Sequence, residues 1–210
     1  GLPRGFATIS RKVDVYSEAM IRLARTGFPY MYPYEQPSCD DYDPICTFHE
    51  PTESPLNDTE YPLVITTGRL PHFHHGTMRH APFVRELMPA PELRINPETA
   101  AEYGIEHLDW VKITSRRGSS HARAYLTQGI APGVLITERF WNPECYDSTQ
   151  ETITPGIEEC GYNIMSADSF QNPCFATNSY RAFTVKIEKC DRPERIWVES
   201  KEFEPFMPTL

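Results

Sequence analysis

Short apolar runs, each cut off by glycine, proline or asparagine, limit what this chain can fold into more than any other feature of it. They occupy residues 63–66, 93–95, 110–114, 121–127, 134–138 and 183–188. All are shorter than the roughly ten residues an ordinary helix needs. In several the apolar residues alternate, as Val111 and Ile113 do, or Phe183, Val185 and Ile187. A period of two lays one face of an extended strand on a core and leaves the other toward water. With a few short helical stretches between them, such strands indicate a mainly β barrel.

The punctuation predicts how the strands are joined. Arg116-Arg117-Gly118-Ser119 separates two runs as a hairpin, with Gly118 available for a positive φ, and Pro132-Gly133 makes a turn into 134–138. Asn96 caps a helix that Pro97 starts, Glu98 and Glu102 lie within it, and Gly104 supplies a left-handed stop. A shorter helix is expected over 82–88. Upstream, Ile9, Val13 and Val15 suggest a strand over 8–16, and Ser17 caps a helix ending at Gly27. Six prolines from Pro29 to Pro55 interrupt a Tyr- and acid-rich stretch, which reads as an extended strap ordered against a larger body. Three parts follow: an irregular N-terminal arm and strap over 1–60, a barrel over 61–190 and a tail over 191–210.

The net charge of −9 disfavours broad attraction to nucleic acid or anionic lipid. Any anionic ligand must be held locally. No apolar run approaches the roughly 18 residues of a spanning helix, and direct membrane insertion is not expected. The start at Gly1 reads as the continuation of a longer protein. Cys39, Cys46, Cys145, Cys160, Cys174 and Cys190 are widely spaced with no C-x-x-C pair, as for free or partly buried thiols, though their even number also allows disulfides.

The chemistry concentrates after the first run, in Thr67-Gly68-Arg69-Leu70-Pro71-His72-Phe73-His74-His75-Gly76-Thr77-Met78, with His80 just beyond. Such a loop offers backbone N–H groups, imidazoles and a guanidinium together, which suits a polyanionic, heteroaromatic ligand. The histidines also allow a zinc site, although no Cys or carboxylate within the loop completes one. A third reading has the imidazoles only hydrogen-bonding loop carbonyls.

Residues 61–69, the His-rich loop, and Leu93-Arg94-Ile95-Asn96-Pro97-Glu98-Thr99-Ala100-Ala101-Glu102-Tyr103-Gly104-Ile105 occur in an order that resembles the carboxyl-terminal dinucleotide-binding segment of molybdopterin oxidoreductases, the dimethyl sulfoxide reductase family. Asp109-Trp110-Val111-Lys112-Ile113, Ser115-Arg116-Arg117-Gly118 and Ala131-Pro132-Gly133-Val134 extend the resemblance, and Gly5-Phe6-Ala7-Thr8 with 12–17 resembles the segment before it. The resemblance implies a six-stranded double-psi β-barrel that binds the pterin and pyrophosphate parts of bis(molybdopterin guanine dinucleotide) carrying Mo or W. It assigns cofactor contact to Thr67, Gly68, Arg69, His72, His74, His75, Gly76, Thr77, Asn163, Tyr180 and Arg181, and neither a catalytic residue nor a metal ligand to this chain. Arg116 and Arg117 are expected to be a solvated hairpin tip, and Trp141 to lie either in the core or toward the active-site funnel.

By the same resemblance the segment alone is inactive. An iron–sulfur cluster belongs to the missing upstream part, whose domains are the implied partners, with an iron–sulfur electron-transfer subunit and no nucleic acid. Compartment stays open between the bacterial cytoplasm and the exported face of the membrane. The competing reading is a stand-alone double-psi barrel acting as an interaction module; a zinc site over His72–His80 is a further one.

Overall fold

The six apolar runs become six strands that close on one another. The computed structural model describes residues 5–8, 10–26, 43–45, 47–48, 50–51, 53–78, 82–88, 90–139, 160–166 and 181–193. They fall into two units, one reaching Pro51 and one starting at Thr52.

In the first unit, α1 spans Glu18–Thr26, with Glu18 in its first turn and Arg25 in its last, charges that suit the helix dipole. The Ser17 N–H just before it donates to the carbonyl of Pro44 at 2.8 Å. The strand expected over 8–16 does not form. Its described residues make a tight turn instead, in which the N–H of Phe6 donates to the Arg11 carbonyl and Arg11 takes a φ of 58°. Val13 and Val15 remain 65% and 75% exposed, so the apolar spacing there has no face to pack on.

The second unit contains β1 (Leu63–Thr67), α2 (Pro82–Leu87), β2 (Glu92–Ile95), α3 (Pro97–Glu102), β3 (Trp110–Thr114), β4 (Ser119–Leu126), β5 (Val134–Thr137), α4 (Tyr162–Met165) and β6 (Phe183–Cys190). The strands form a closed barrel in the order β1-β5-β2-β4-β3-β6. β1 runs parallel to β5 and β2 parallel to β4, while the remaining pairs are antiparallel. This is the mainly β, double-psi barrel that the sequence led us to expect. Alternation fills it: Leu63 and Ile65, Leu93 and Ile95, Val111 and Ile113, Ala122 and Ala124, Leu135, Val185 and Ile187 all point inward and are buried. Each large aliphatic so buried contributes about 1.5–3 kcal/mol, and closure removes every free sheet edge.

The legible helix is α3. The Asn96 side chain accepts from the N–H of Glu98 at 2.9 Å and donates to the Ile130 carbonyl at 2.7 Å, and Gly104 stops the helix at φ 63°. One residue thus caps the helix and ties it to the β4–β5 connection. There Thr99 accepts from the N–H of Gly133, whose φ of 77° and the Val134-to-Ala131 hydrogen bond make a type II turn. Gly118 does not take the positive φ expected of it. It is glycine because a Cβ would meet the Ile164 carbonyl oxygen of α4 at 3.0 Å.

Arg116 and Arg117 form an exposed hairpin tip, as expected, but one held by partners. Arg116 Nη2 reaches Asp58 Oδ2 at 2.7 Å and its guanidinium lies 4.8 Å over the Tyr61 ring. Arg117 forms a two-pronged pair with Glu53 and donates through Nε to the Met165 carbonyl at 2.9 Å. Both carboxylates are only 8% exposed. The charge pattern of the hairpin suggested solvent because its partners lie about 60 residues upstream, in the strap.

Candidate functional site

Parallel pairing of β1 and β5 sets Thr67 opposite Thr137, so the chain leaves both strands on the same rim of the barrel. The N–H of Gly68 donates to the Thr137 carbonyl at 2.9 Å and carries the ladder one residue further. A Cβ on Gly68 would come within 2.6 Å of Ile136 Cγ2, which explains glycine at this close approach. Arg69 and Arg139 then emerge from neighbouring strands, beside the buried Glu138.

The His-rich loop is held here by its apolar residues. Leu70 and Phe73 are buried against Val84 and Met88 of the α2 region, Ala90 and Cys160. With those two side chains turned inward, His72, His74 and His75 are exposed. The loop turns back through 74–77, where the Thr77 N–H donates to the His74 carbonyl at 2.9 Å and His75 takes a left-handed φ of 55°. His75 and Met78, at φ 70°, carry the positive φ values, while Gly76 does not. Left-handed backbone at a β-carbon costs about 1 kcal/mol or more and persists where the surroundings enforce it. The His74 and His75 rings meet edge-on, their centroids 5.0 Å apart.

Strand ends and loop line a cleft open to solvent, with a floor of Gly68, Leu70 and Phe73. Among the described residues, Arg69, His74, His75 and Arg139 line it together with one acid, Glu138. The neighbouring positive groups act on His75. Burial first, then the charges of Arg69, His74 and Arg139, hold the His75 imidazole below the usual histidine range. An anion entering the cleft would find donors already gathered and would reverse that shift.

The other expected site residues are distributed unevenly. Thr67 ends β1, half-buried, and Gly76 and Thr77 belong to the loop turn without lining the cleft. His72 instead lines an open groove with Arg94, Tyr125 and Glu92, whose carboxyl is pushed up by burial. Asn163 is exposed on α4, its carbonyl accepting from Ser166 Oγ, and is not among the residues lining either opening. Arg181 is exposed in the turn before β6, whose pairing with β1 ends at Ile65↔Phe183, and it is not among the residues lining either opening. Tyr180, His80 and Trp141 lie outside the described residues.

The sequence reading missed Glu138 and Arg139. Only the unannounced parallel pairing of β1 with β5 makes them neighbours of Gly68. Among the described residues no three His, Cys, Asp or Glu side chains converge to hold a metal ion, so the zinc reading gains no support there. Of the cysteines, Cys160 is buried and Cys190 half-buried; the other four lie outside the described residues.

Residues 63–165 match the sequence model of the molydopterin dinucleotide binding domain. The chain belongs to the molybdopterin oxidoreductases of the dimethyl sulfoxide reductase family. The matched stretch of this molybdopterin dinucleotide-binding domain begins with β1 and ends with α4, and β6 closes the barrel from outside it. The molybdopterin domain shares 38% identity over 148 residues with dopamine dehydroxylase of Eggerthella lenta, across 68% of this chain and 14% of that protein. Against dimethyl sulfoxide reductase DmsA of Escherichia coli the identity is 29% over 190 residues, 87% of this chain and 21% of that protein. The fold is shared with acetylene hydratase from Pelobacter acetylenicus at a TM-score of 0.71 and 21% identity, covering 89% of this chain and 24% of that one. The chain therefore spans about a seventh to a fifth of the length of the curated relatives it matches here.

Proposed function

We propose that this domain binds the pterin and pyrophosphate parts of bis(molybdopterin guanine dinucleotide) as the carboxyl-terminal part of a Mo- or W-dependent oxidoreductase. The observation that carries this reading is the cleft at the ends of β1 and β5, where two arginines and two histidines face one acid. A pyrophosphate is a polyanion joined to flat heterocycles. Arg69 supplies a planar donor fork for phosphate oxygens, Gly68 keeps the backbone close, and His74 and His75 offer ring N–H groups beside an apolar floor. Arg181, in the turn that leads into β6, is proposed to add a further cation.

The cofactor, when bound, supplies electron or oxygen-atom transfer at its metal. The residues here orient and neutralise it, and by themselves perform no reaction. Neither a metal ligand nor a catalytic group is assigned to this chain, so the isolated segment is expected to be inactive. The upstream domains of the same enzyme are its proposed partners, together with an iron–sulfur electron-transfer subunit.

The test is metal and nucleotide content of the full-length enzyme. Arg69→Ala and His74→Ala are expected to lower bound Mo or W and released guanine nucleotide in parallel with activity. Unchanged metal content and unchanged activity in both variants would overturn the reading.

A further inference from the structure

A second opening lies on the outer face of the barrel, where β2 and β4 run parallel. Alternation turns Leu93, Ile95, Ala122 and Ala124 inward, so Glu92 and Arg94 of β2 share the outward face with Arg123 and Tyr125 of β4. The register sets Glu92 opposite Arg123 and Arg94 opposite Tyr125. Leu70, Leu87, Met88, Ile130 and Ile136 line the same groove and give it its apolar part.

The polar side of the groove has two unused partners. Glu92 and Arg94 stand two residues apart on one face, yet among the described residues neither side chain makes an ion pair or a hydrogen bond. Beside them Tyr125 keeps 41% of its surface exposed, large for an aromatic ring. The ring is held in place: His107 meets it edge-on with centroids 5.2 Å apart, and His107 Nδ1 accepts the N–H of Leu126 at 3.2 Å. Burial pushes the Glu92 carboxyl up, although Arg94, His107, Arg123 and His72 all draw it down. A groove with apolar walls and a few convergent polar groups has the make-up of a ligand site.

We propose that this groove is a second binding site, for an aromatic monocarboxylate: Arg94 takes the carboxylate on its planar donor fork, the ring lies along Tyr125, and the apolar wall covers its far edge. Among the described residues one arginine lines the groove, which suits a monoanion with a flat apolar body, whereas the cleft gathers two arginines and two histidines, which suit a polyanion. Leu70 lines both openings, but the loop histidines divide between them, His72 here and His74 and His75 in the cleft. The site does not depend on the proposed cofactor reading.

Naphthoate is titrated by calorimetry at neutral pH into the full 210-residue chain and into Arg94→Ala, Tyr125→Leu, Glu92→Gln and Arg69→Ala, each checked for a wild-type unfolding midpoint. The wild-type chain is expected to bind one equivalent. Arg94→Ala should weaken it about tenfold, as loss of one charge-assisted contact does, and Tyr125→Leu about threefold. Glu92→Gln removes a negative charge beside the bound carboxylate and should tighten binding about threefold, which a mere loosening of the fold would not do. Arg69→Ala, in the cleft, should leave naphthoate binding unchanged. If Arg94→Ala does not fold, Arg94→Gln decides by the same reading. No binding to the wild-type chain overturns the site. Loss with Arg69→Ala in place of Arg94→Ala puts the ligand in the cleft and overturns it too, and weaker binding by Glu92→Gln overturns the carboxylate's place at Arg94.

Discussion

Two places in the barrel each bring a pair of arginines together, and they differ in what faces them. At the hairpin, Arg116 and Arg117 each meet a carboxylate that is 8% exposed, and aromatic rings lie under both guanidinium groups. At the cleft, Arg69 and Arg139 share the rim with His74 and His75 around one acid. The first arrangement satisfies charge inside the protein and holds segments together. The second gathers positive groups on the rim of an opening, where an anion from outside can meet them. Counting arginines in a sequence does not tell these apart, whereas the identity of the facing groups does.

The largest effect should come from breaking the paired side. Arg117→Ala leaves the Glu53 carboxylate sheltered and unmatched and removes the tie to Met165, and should cost about 2–3 kcal/mol in urea unfolding. An unchanged midpoint would mean that this pair is no latch. Gly68→Ala attacks the cleft from below: its Cβ meets Ile136 at 2.6 Å, so about 1–3 kcal/mol of stability and a distorted rim are expected. Wild-type stability together with wild-type anion binding would remove Gly68 from the site. Arg69→Ala, on the cleft side, should leave stability within about 0.5 kcal/mol yet weaken pyrophosphate about tenfold in calorimetry.

The smallest effect separates the two places by pH. Arg117 outweighs burial in holding the Glu53 carboxyl below the usual range; for Asp58, burial pushes upward but the Tyr61 N–H, Arg116 and Thr184 together prevail. Folded pKa values below the unfolded ones mean stability that is present above about pH 4.5 and lost as pH falls through the folded values. His75 is also depressed, so stability drops slightly as pH falls below about 6.5 and the unfolded state takes up its proton first. A bound anion favours protonated His75, so pyrophosphate should bind more tightly as pH falls through that window. Binding that instead weakens on mild acidification would show that His75 does not face the ligand.

Much of the barrel was legible along the chain because it rests on local rules. The strands at 110–114 and 183–188 announced themselves by alternation, α3 by Asn96, Pro97 and Gly104, and the type II turn by Pro132-Gly133. The 8–16 stretch had similar spacing and formed no strand, since apolar periodicity becomes sheet only where a partner and a core exist. At the cleft, Gly68, Arg69, His74 and His75 were named from sequence and gathered by the fold, while His72 was sent to another face by the alternation of buried Leu70 and Phe73.

What the sequence by itself determined is the set of elements, because helix caps, turns and a period of two depend on residues a few positions apart. Tertiary structure alone decided which elements meet. Parallel pairing of β1 with β5 put Glu138 and Arg139 beside Gly68, and barrel closure carried Asp58 to Arg116 and Thr184 across separations of 58 and 126 residues. Such meetings follow from the burial of every strand at once, a collective free-energy minimum that no local stretch encodes.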